Sequence, residues 1–251
     1  MGLLVDEAGN KLSKRNFDTD ISSFKEQETF PETLANFAAL LGWSHKEKSD
    51  VMTLQQLVDN FSLKFTKGNT TVTFGKLHFL QRKHAAQRAL TGGPKLAEMV
   101  HNVTTLLTSP DSPYTEWKKV INTPWPDAYI EKIIIADAEN YTNANEFLYR
   151  NAFFFQPLRP YLKSPPVATS SDIPMRAHML KDVSEKDWDR ENLMQNVRDI
   201  IDGRPEGKKG GKDVYHYLRM MLTGQEQGMR LYDIMLILGR GETLKRLGAE
   251  L

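Results

Sequence analysis

The sequence contains no cysteine, which excludes a disulfide scaffold, a thiol nucleophile and a thiolate zinc site. Long apolar runs are missing too. Nothing approaches the roughly 20 residues that cross a bilayer, so a soluble globular protein with no membrane partner is expected. Among the six histidines, His78 and His84 are six apart and fall on different faces of a helix, so no metal site is expected. Neither a G-x-S-x-G elbow nor an H-E-x-x-H pair occurs. The glycines at 207, 210 and 211 sit beside lysines, but Lys212 precedes Asp213 rather than Ser or Thr, which excludes a P-loop. Residues 1–10 hold two acids and no base, unlike a secretory signal or an Arg-rich transit peptide. Strand signals are few, limited to Leu3-Leu4-Val5 and the threonine-rich stretch 70–74.

What remains is helical punctuation, and the fold class is therefore mainly α. At 251 residues, two units are expected. Pro31 at a first turn, then Leu34, Phe37, Ala38 and Leu41 at 3-4 spacing, then Gly42, predict a core helix over 31–41. Similar patterns cover 54–61, 75–90, 95–107, 127–139, 143–155 and 184–201, the last opening on Ser184 and Asp187 as a capping box. Residues 213–251 read as two or three helices broken at Thr223-Gly224 and Gly239-Arg240-Gly241. The aromatic run 149–155 is expected in a core, and the proline-rich stretch 156–174 as a connection.

The net charge of +1 is unevenly distributed. Residues 60–97 contain no Asp or Glu, yet hold Lys64, Lys67, Lys76, Arg82, Lys83, Arg88 and Lys95. One basic segment on a mildly acidic body suits a polyanion. A smaller cluster, Arg204, Lys208, Lys209, Lys212 and Arg219 against Glu206 and Asp213, sits in a Gly-rich stretch and reads as a solvated loop.

Near the start, Lys11-Leu12-Ser13-Lys14-Arg15 puts two ammonium groups and a hydroxyl on a loop after a strand-like segment. Such a loop can stabilise charge gathering on a polyphosphate. In context, residues 3–15 resemble the end of the catalytic domain in glutamyl-tRNA synthetases. The stretch 30–44, Phe-Pro-Glu-Thr-Leu-Ala-Asn-Phe-Ala-Ala-Leu-Leu-Gly-Trp-Ser, is similar to a helix of the same family. Leu218-Arg219-Met220-Met221-Leu222-Thr223-Gly224, Leu231-Tyr232-Asp233 and Leu236-Ile237-Leu238-Gly239-Arg240 are similar to its anticodon-binding region.

The resemblance implies the C-terminal half of a bacterial- or mitochondrial-type enzyme that attaches glutamate to tRNA with ATP and magnesium. Residues 1–30 would end the catalytic domain, 31–107 would be basic stem-contact helices, and 108–251 a helical anticodon-binding domain. Lys11, Ser13, Lys14 and Arg15 would hold ATP phosphates. Lys64, Lys67, Lys76, Arg82, Lys83, Arg88 and Arg219 would meet RNA, with Arg230 and Arg240 as further candidates for reading bases. The partner is tRNA, the chain is expected to be monomeric, and residence would be mitochondrial, otherwise cytoplasmic. Two departures stand out: Arg15 runs into Asn16-Phe17 where the family has His-Gly or Asn-Gly, and no His-x-Gly-His or His-x-Gly-Asn occurs. No catalytic residue is assigned, and the chain alone is expected to be inactive because a nucleotide-binding half is absent from these residues. The alternative is a stand-alone, non-catalytic RNA-binding protein derived from a synthetase.

Overall fold

The computed structural model describes residues 2–12, 20–65, 67–114, 117, 126–156, 172–205 and 207–248. Their order is β1 (Leu4–Val5), α1 (Ile21–Glu26), α2 (Pro31–Leu40), α3 (Leu54–Asp59), β2 (Thr70–Thr71), α4 (Phe74–Thr91), α5 (Pro94–Thr108), α6 (Asp127–Asp137), α7 (Ala144–Arg150), α8 (Asp172–Ala177), α9 (Arg190–Asp202), α10 (Gly211–Thr223) and α11 (Leu231–Arg246). The fold is mainly α, as the punctuation indicated. Contacts divide it into one unit of Met1–Val103 with Asp137–Leu148, and another of Thr104–Ala136 with Tyr149–Leu251.

In the first unit, α2 begins at Pro31, where a missing N–H costs nothing because first-turn donors have no helical acceptor. Phe37 joins Val72, Leu77 and Leu80 in the core. The expected apolar seam divides, however. Ala38 is exposed, and together with Leu41 it lines an open apolar cavity of about 780 Å³ with Leu4, Trp43, Val58, Phe61 and Phe65. The buried face of α2 instead includes Thr33 and Asn36. Asn36 is held by three bonds: its amide donates to Asp50 O (2.9 Å), and its Oδ1 accepts from Met52 N (2.9 Å) and faces His84 Nε2 (3.2 Å). Because that oxygen can only accept, Nε2 carries the His84 proton.

The two strand signals pair with each other, in parallel, Leu4 opposite Thr70 and Val5 opposite Thr71. Next to them α4 buries Leu77, Leu80, Gln81, His84, Ala85 and Arg88 along one face. The Gln81 amide is fully used, accepting from Phe30 N (3.1 Å) and donating to Glu28 O (3.0 Å) and Thr142 O (2.8 Å). Glu28 is, among the described residues, the one non-glycine with a positive φ, 58°. That backbone lets its carboxylate accept the Ala144 N–H at 2.9 Å, at the positive end of α7. The Tyr141 hydroxyl points at the same oxygen, and burial together with that facing carboxylate pushes the phenol well above its ordinary pKa.

In the second unit, α9 buries Leu193, Val197, Ile200 and Ile201 at helical spacing and is capped by Asp189, which accepts from Asn192 N at 2.9 Å. The Ser184–Asp187 box caps only a single 3-10 turn, Glu185–Asp187, and α9 starts later at Arg190. Helices α9, α10 and α11 pack on one another, with Val214, Tyr217, Leu218 and Leu222 of α10 facing inward beside Ile234 and Met235 of α11. Gly224 closes α10 in the left-handed region. Gly239 breaks the regular path of α11 at φ 76°, ψ 168°, where the Gly-Arg-Gly signal anticipated an interruption. Of the aromatic run, Phe153, Phe154 and Phe155 are buried, whereas Tyr149 is 77 % exposed.

Candidate nucleic-acid interface

The loop proposed for phosphate contact springs from a braced stem. Asp6 accepts from the N–H groups of Ala8 (3.0 Å) and Asn10 (2.8 Å), and Leu12 N donates to Leu4 O at 3.0 Å. The Asn10 backbone and side-chain bonds hold the Asp6 carboxyl below its usual range. Lys11 leaves this stem exposed and pairs in a bridge with Val5. Ser13, Lys14 and Arg15 lie outside the described residues.

The basic segment resolves into different environments. Lys64 and Lys67 are exposed before β2, and Arg82 and Lys83 are exposed on α4. Among the described residues, none of these four has an acidic partner within ion-pair distance. Lys83 and Lys76 both sit over the Phe79 ring, at 6.0 and 5.2 Å from its centroid. Lys76 is also tied to Asp50, whose carboxyl is held low chiefly by that ammonium group, with His45 contributing on its other oxygen.

Arg88 does not belong with the RNA-facing residues. Its side chain is 4 % exposed, forks onto Glu32, reaches Glu98 at 2.8 Å and lies 3.6 Å from the Phe30 ring centroid. A guanidinium saturated in this way cannot turn to a phosphate without giving up its fork on a half-buried carboxylate. Its partner shows the strength of the match. Burial pushes the Glu32 carboxyl up, yet the Arg88 bonds and charge, helped by Lys95, bring it down to about 2. His84, behind this pair, is pushed down by burial and stays neutral near pH 7.

Arginines of the second unit separate in the same way. Arg240 donates to Val183 O and Lys181 O, both at 2.7 Å, so it staples α11 to the 181–183 turn rather than facing a base. Arg204 is 4 % exposed and bonded to Gly210 O (2.8 Å) and Asp172 (3.2 Å). Arg246 has Leu222 O and Phe153 O as acceptors at 2.7 and 2.8 Å, a staple that charge patterning did not reveal. Arg219 is intermediate: half-buried, it donates to Met229 O at 2.8 Å, and burial lowers its pKa. Arg230 is exposed ahead of α11. Lys208 has no described side chain, while Lys209 and Lys212 are exposed. No cluster of three or more metal-ligating side chains occurs among the described residues, and no described helix is long and apolar enough to cross a membrane.

A family model described as "Anticodon binding domain" matches residues 95–251, and one described as "tRNA synthetases class I (E and Q), catalytic domain" matches residues 1–78. Among curated relatives, glutamate–tRNA ligase 1 of Fervidobacterium nodosum is 27% identical over 249 residues, covering 98% of this chain and 47% of its own. The mitochondrial glutamate–tRNA ligase of Schizosaccharomyces pombe is 30% identical over 257 residues, covering 97% of this chain and 45% of its own. The chain thus spans about half the length of these relatives. A glutamate tRNA ligase from Elizabethkingia meningosepticum, solved in complex with its amino acid, shares the fold with a TM-score of 0.67 at 20% identity, over 98% of this chain and 49% of that one.

Proposed function

Since this chain belongs to the glutamyl-tRNA synthetase family and matches an anticodon-binding domain over residues 95–251, we propose that it binds tRNA and serves the ATP-dependent attachment of glutamate. The observation that carries the reading is the set of exposed cations, Lys64, Lys67, Arg82 and Lys83, that have no acidic partner among the described residues and lie in a segment free of carboxylates. Phosphates meeting such side chains displace condensed counterions, which supplies affinity without sequence preference. Base reading falls to the second unit, where Arg219 is the side chain nominated by family resemblance.

Lys11, Ser13, Lys14 and Arg15 are proposed to hold the phosphates of ATP. What the structure contributes to that proposal is the stiff turn 6–10, which fixes the point at which Lys11 emerges. ATP, arriving with magnesium, would supply the adenylyl group that activates a carboxylate. The cationic loop would then neutralise charge on the departing phosphates. We propose a mitochondrial residence, which the S. pombe relative supports, with the cytoplasm as the alternative, and a monomeric chain.

The test is fluorescence anisotropy with a glutamate tRNA transcript across a salt series. Four phosphate contacts at roughly 0.7 to 0.9 each give a slope of log K against log salt of about −3. A binding constant indifferent to salt, or no binding at all, rejects the reading.

A further inference from the structure

Helix α3 is well capped, with Thr53 Oγ1 accepting from Gln56 N at 3.2 Å and the Gln56 side chain accepting from Thr53 N at 2.9 Å, yet none of its residues is buried. Leu57, Val58 and, just past its end, Phe61 fall on one side at helical spacing, the pattern of a stripe meant to be covered. The structure leaves that stripe open. Val58 is 62 % exposed and Phe61 64 %, and both line the apolar cavity of about 780 Å³ with Leu41, Trp43 and Phe65. The wall is braced from behind: Trp43 and Phe65 pair in an antiparallel bridge, Ser44 N donates to Lys64 O at 3.0 Å, and Trp43 Nε1 donates to Ser62 Oγ at 3.4 Å. Apolar side chains held outward together by such bonds mark an interaction surface.

The strand pair indicates what covers it. β1 and β2 run parallel. Parallel strands occur with both faces packed, in α/β layers, and two strands alone are marginal in water. Here Val5 is buried on one face, while Leu4 on the other is 40 % exposed and lines the cavity. The open face therefore calls for an α/β body. Every residue lining the cavity falls within the 1–78 match to a class I catalytic domain, and about half the length of the relatives has no counterpart in this chain.

We propose that this groove is a docking surface for the α/β part of a class I catalytic domain, the part of the relatives that this chain does not match. Leu4 links the groove to the chemistry: its side chain lines the cavity, and its carbonyl accepts Leu12 N at 3.0 Å at the root of the Lys11 loop. A body pressed on Leu4 fixes the direction in which Lys11 leaves its stem. This rests on the reading of the chain as part of a glutamate-attaching enzyme and is independent of tRNA contact by α4.

The experiment mixes the full chain with a separately expressed polypeptide, the part of the S. pombe relative that this chain does not match, and follows association by sedimentation velocity. A one-to-one complex is expected. Val58→Glu and Phe61→Glu each charge an exposed side chain, so the thermal melt of the free chain should stay close to wild type, while the complex should weaken about 10- to 100-fold. Leu90→Glu, on an exposed side chain outside the cavity, should leave the complex unchanged. No complex, or one that Leu90→Glu weakens as much as Phe61→Glu does, overturns the docking surface. Self-association of the chain that Phe61→Glu abolishes overturns it too, because the groove would then belong to a second copy. Wild type that binds tRNA without joining the partner loses the docking surface alone; wild type that does neither loses the underlying reading as well.

Discussion

Arg88 and Glu32 form a two-pronged ion pair, Nε to Oε1 at 2.9 Å and Nη2 to Oε2 at 3.0 Å, joining α4 to α2 inside the first unit. The third arm of the guanidinium, Nη1, meets Glu98 on α5, so one cation ties three helices. Truncating Arg88 to Ala strips Glu32 of its two-pronged partner and leaves it only the exposed Lys95, 3.1 Å from Oε1. The expected loss is about 3–5 kcal/mol of stability by urea denaturation. Were Arg88 an RNA contact instead, the variant would unfold normally and bind RNA with a shallower salt slope.

The same pair sets an acid limit. The folded Glu32 carboxyl sits at about 2 against an ordinary 4.5, so its contribution is complete above pH 4.5 and is lost as pH falls from there toward 2. His84 acts earlier with the same sign. Burial keeps its folded value below the usual 6.5, so acidification below that point favours the unfolded chain, which takes the proton more readily. Stability measured against pH should therefore decline in two stages. Glu32→Gln should flatten the lower stage and His84→Asn the upper; a decline unchanged in both variants contradicts the assignment.

Arg82 and Lys83 should behave in the opposite manner to Arg88. Both are exposed on α4, and replacing either with Ala should move stability by less than about 0.5 kcal/mol. Each replacement should reduce the magnitude of the tRNA salt slope by about 1. Unaltered slopes would remove α4 from the interface.

Gly239 and Gly241 give a matched pair. A Cβ at either position meets nothing within 4 Å, but Gly239 alone has a positive φ. Its φ 76°, ψ 168° falls where side chains are excluded by their own backbone, so Gly239→Ala should cost about 1–3 kcal/mol. Gly241→Ala, in helical conformation, should instead add about 0.5–1 kcal/mol. Thermal melts of the two variants should move in opposite directions.

Local signals carried far along this chain. Pro31, the break at Gly239 and the two weak strand segments all mark features that exist, because caps and breakers act within a few residues. That the strands pair with each other was not legible: Leu4 and Thr70 are 66 positions apart, and register across such a gap comes from packing. Charge counting misplaced Arg88 because it ignores which side of a helix a charge lies on. The periodicity held the answer, since Leu77, Gln81, His84 and Arg88 follow one stripe, with Arg82 and Lys83 off it. Arg240 was misjudged for a related reason: its acceptors are backbone carbonyls, which leave no mark in residue types. Ser184 offered a genuine cap, but for one 3-10 turn only. Trp188 then departs from helical geometry while donating to Met235 O at 3.2 Å, and the helix restarts under Asp189.

Residues 137–148 complete the first unit although they come after an intervening stretch of the second. Tyr141 stacks on Phe30 with centroids 6.2 Å apart, Thr142 O accepts from the Gln81 amide, and Ala144 N donates to the Glu28 carboxylate. On the ribosome, then, the amino-terminal body cannot close when its own contiguous sequence has emerged. It must wait for some forty more residues, holding Phe30 and Gln81 without their partners. Cutting the gene after residue 103 would not separate two modules but would strip one of them of its keystone, so a dissection of this protein has to follow the contacts rather than the order of the codons.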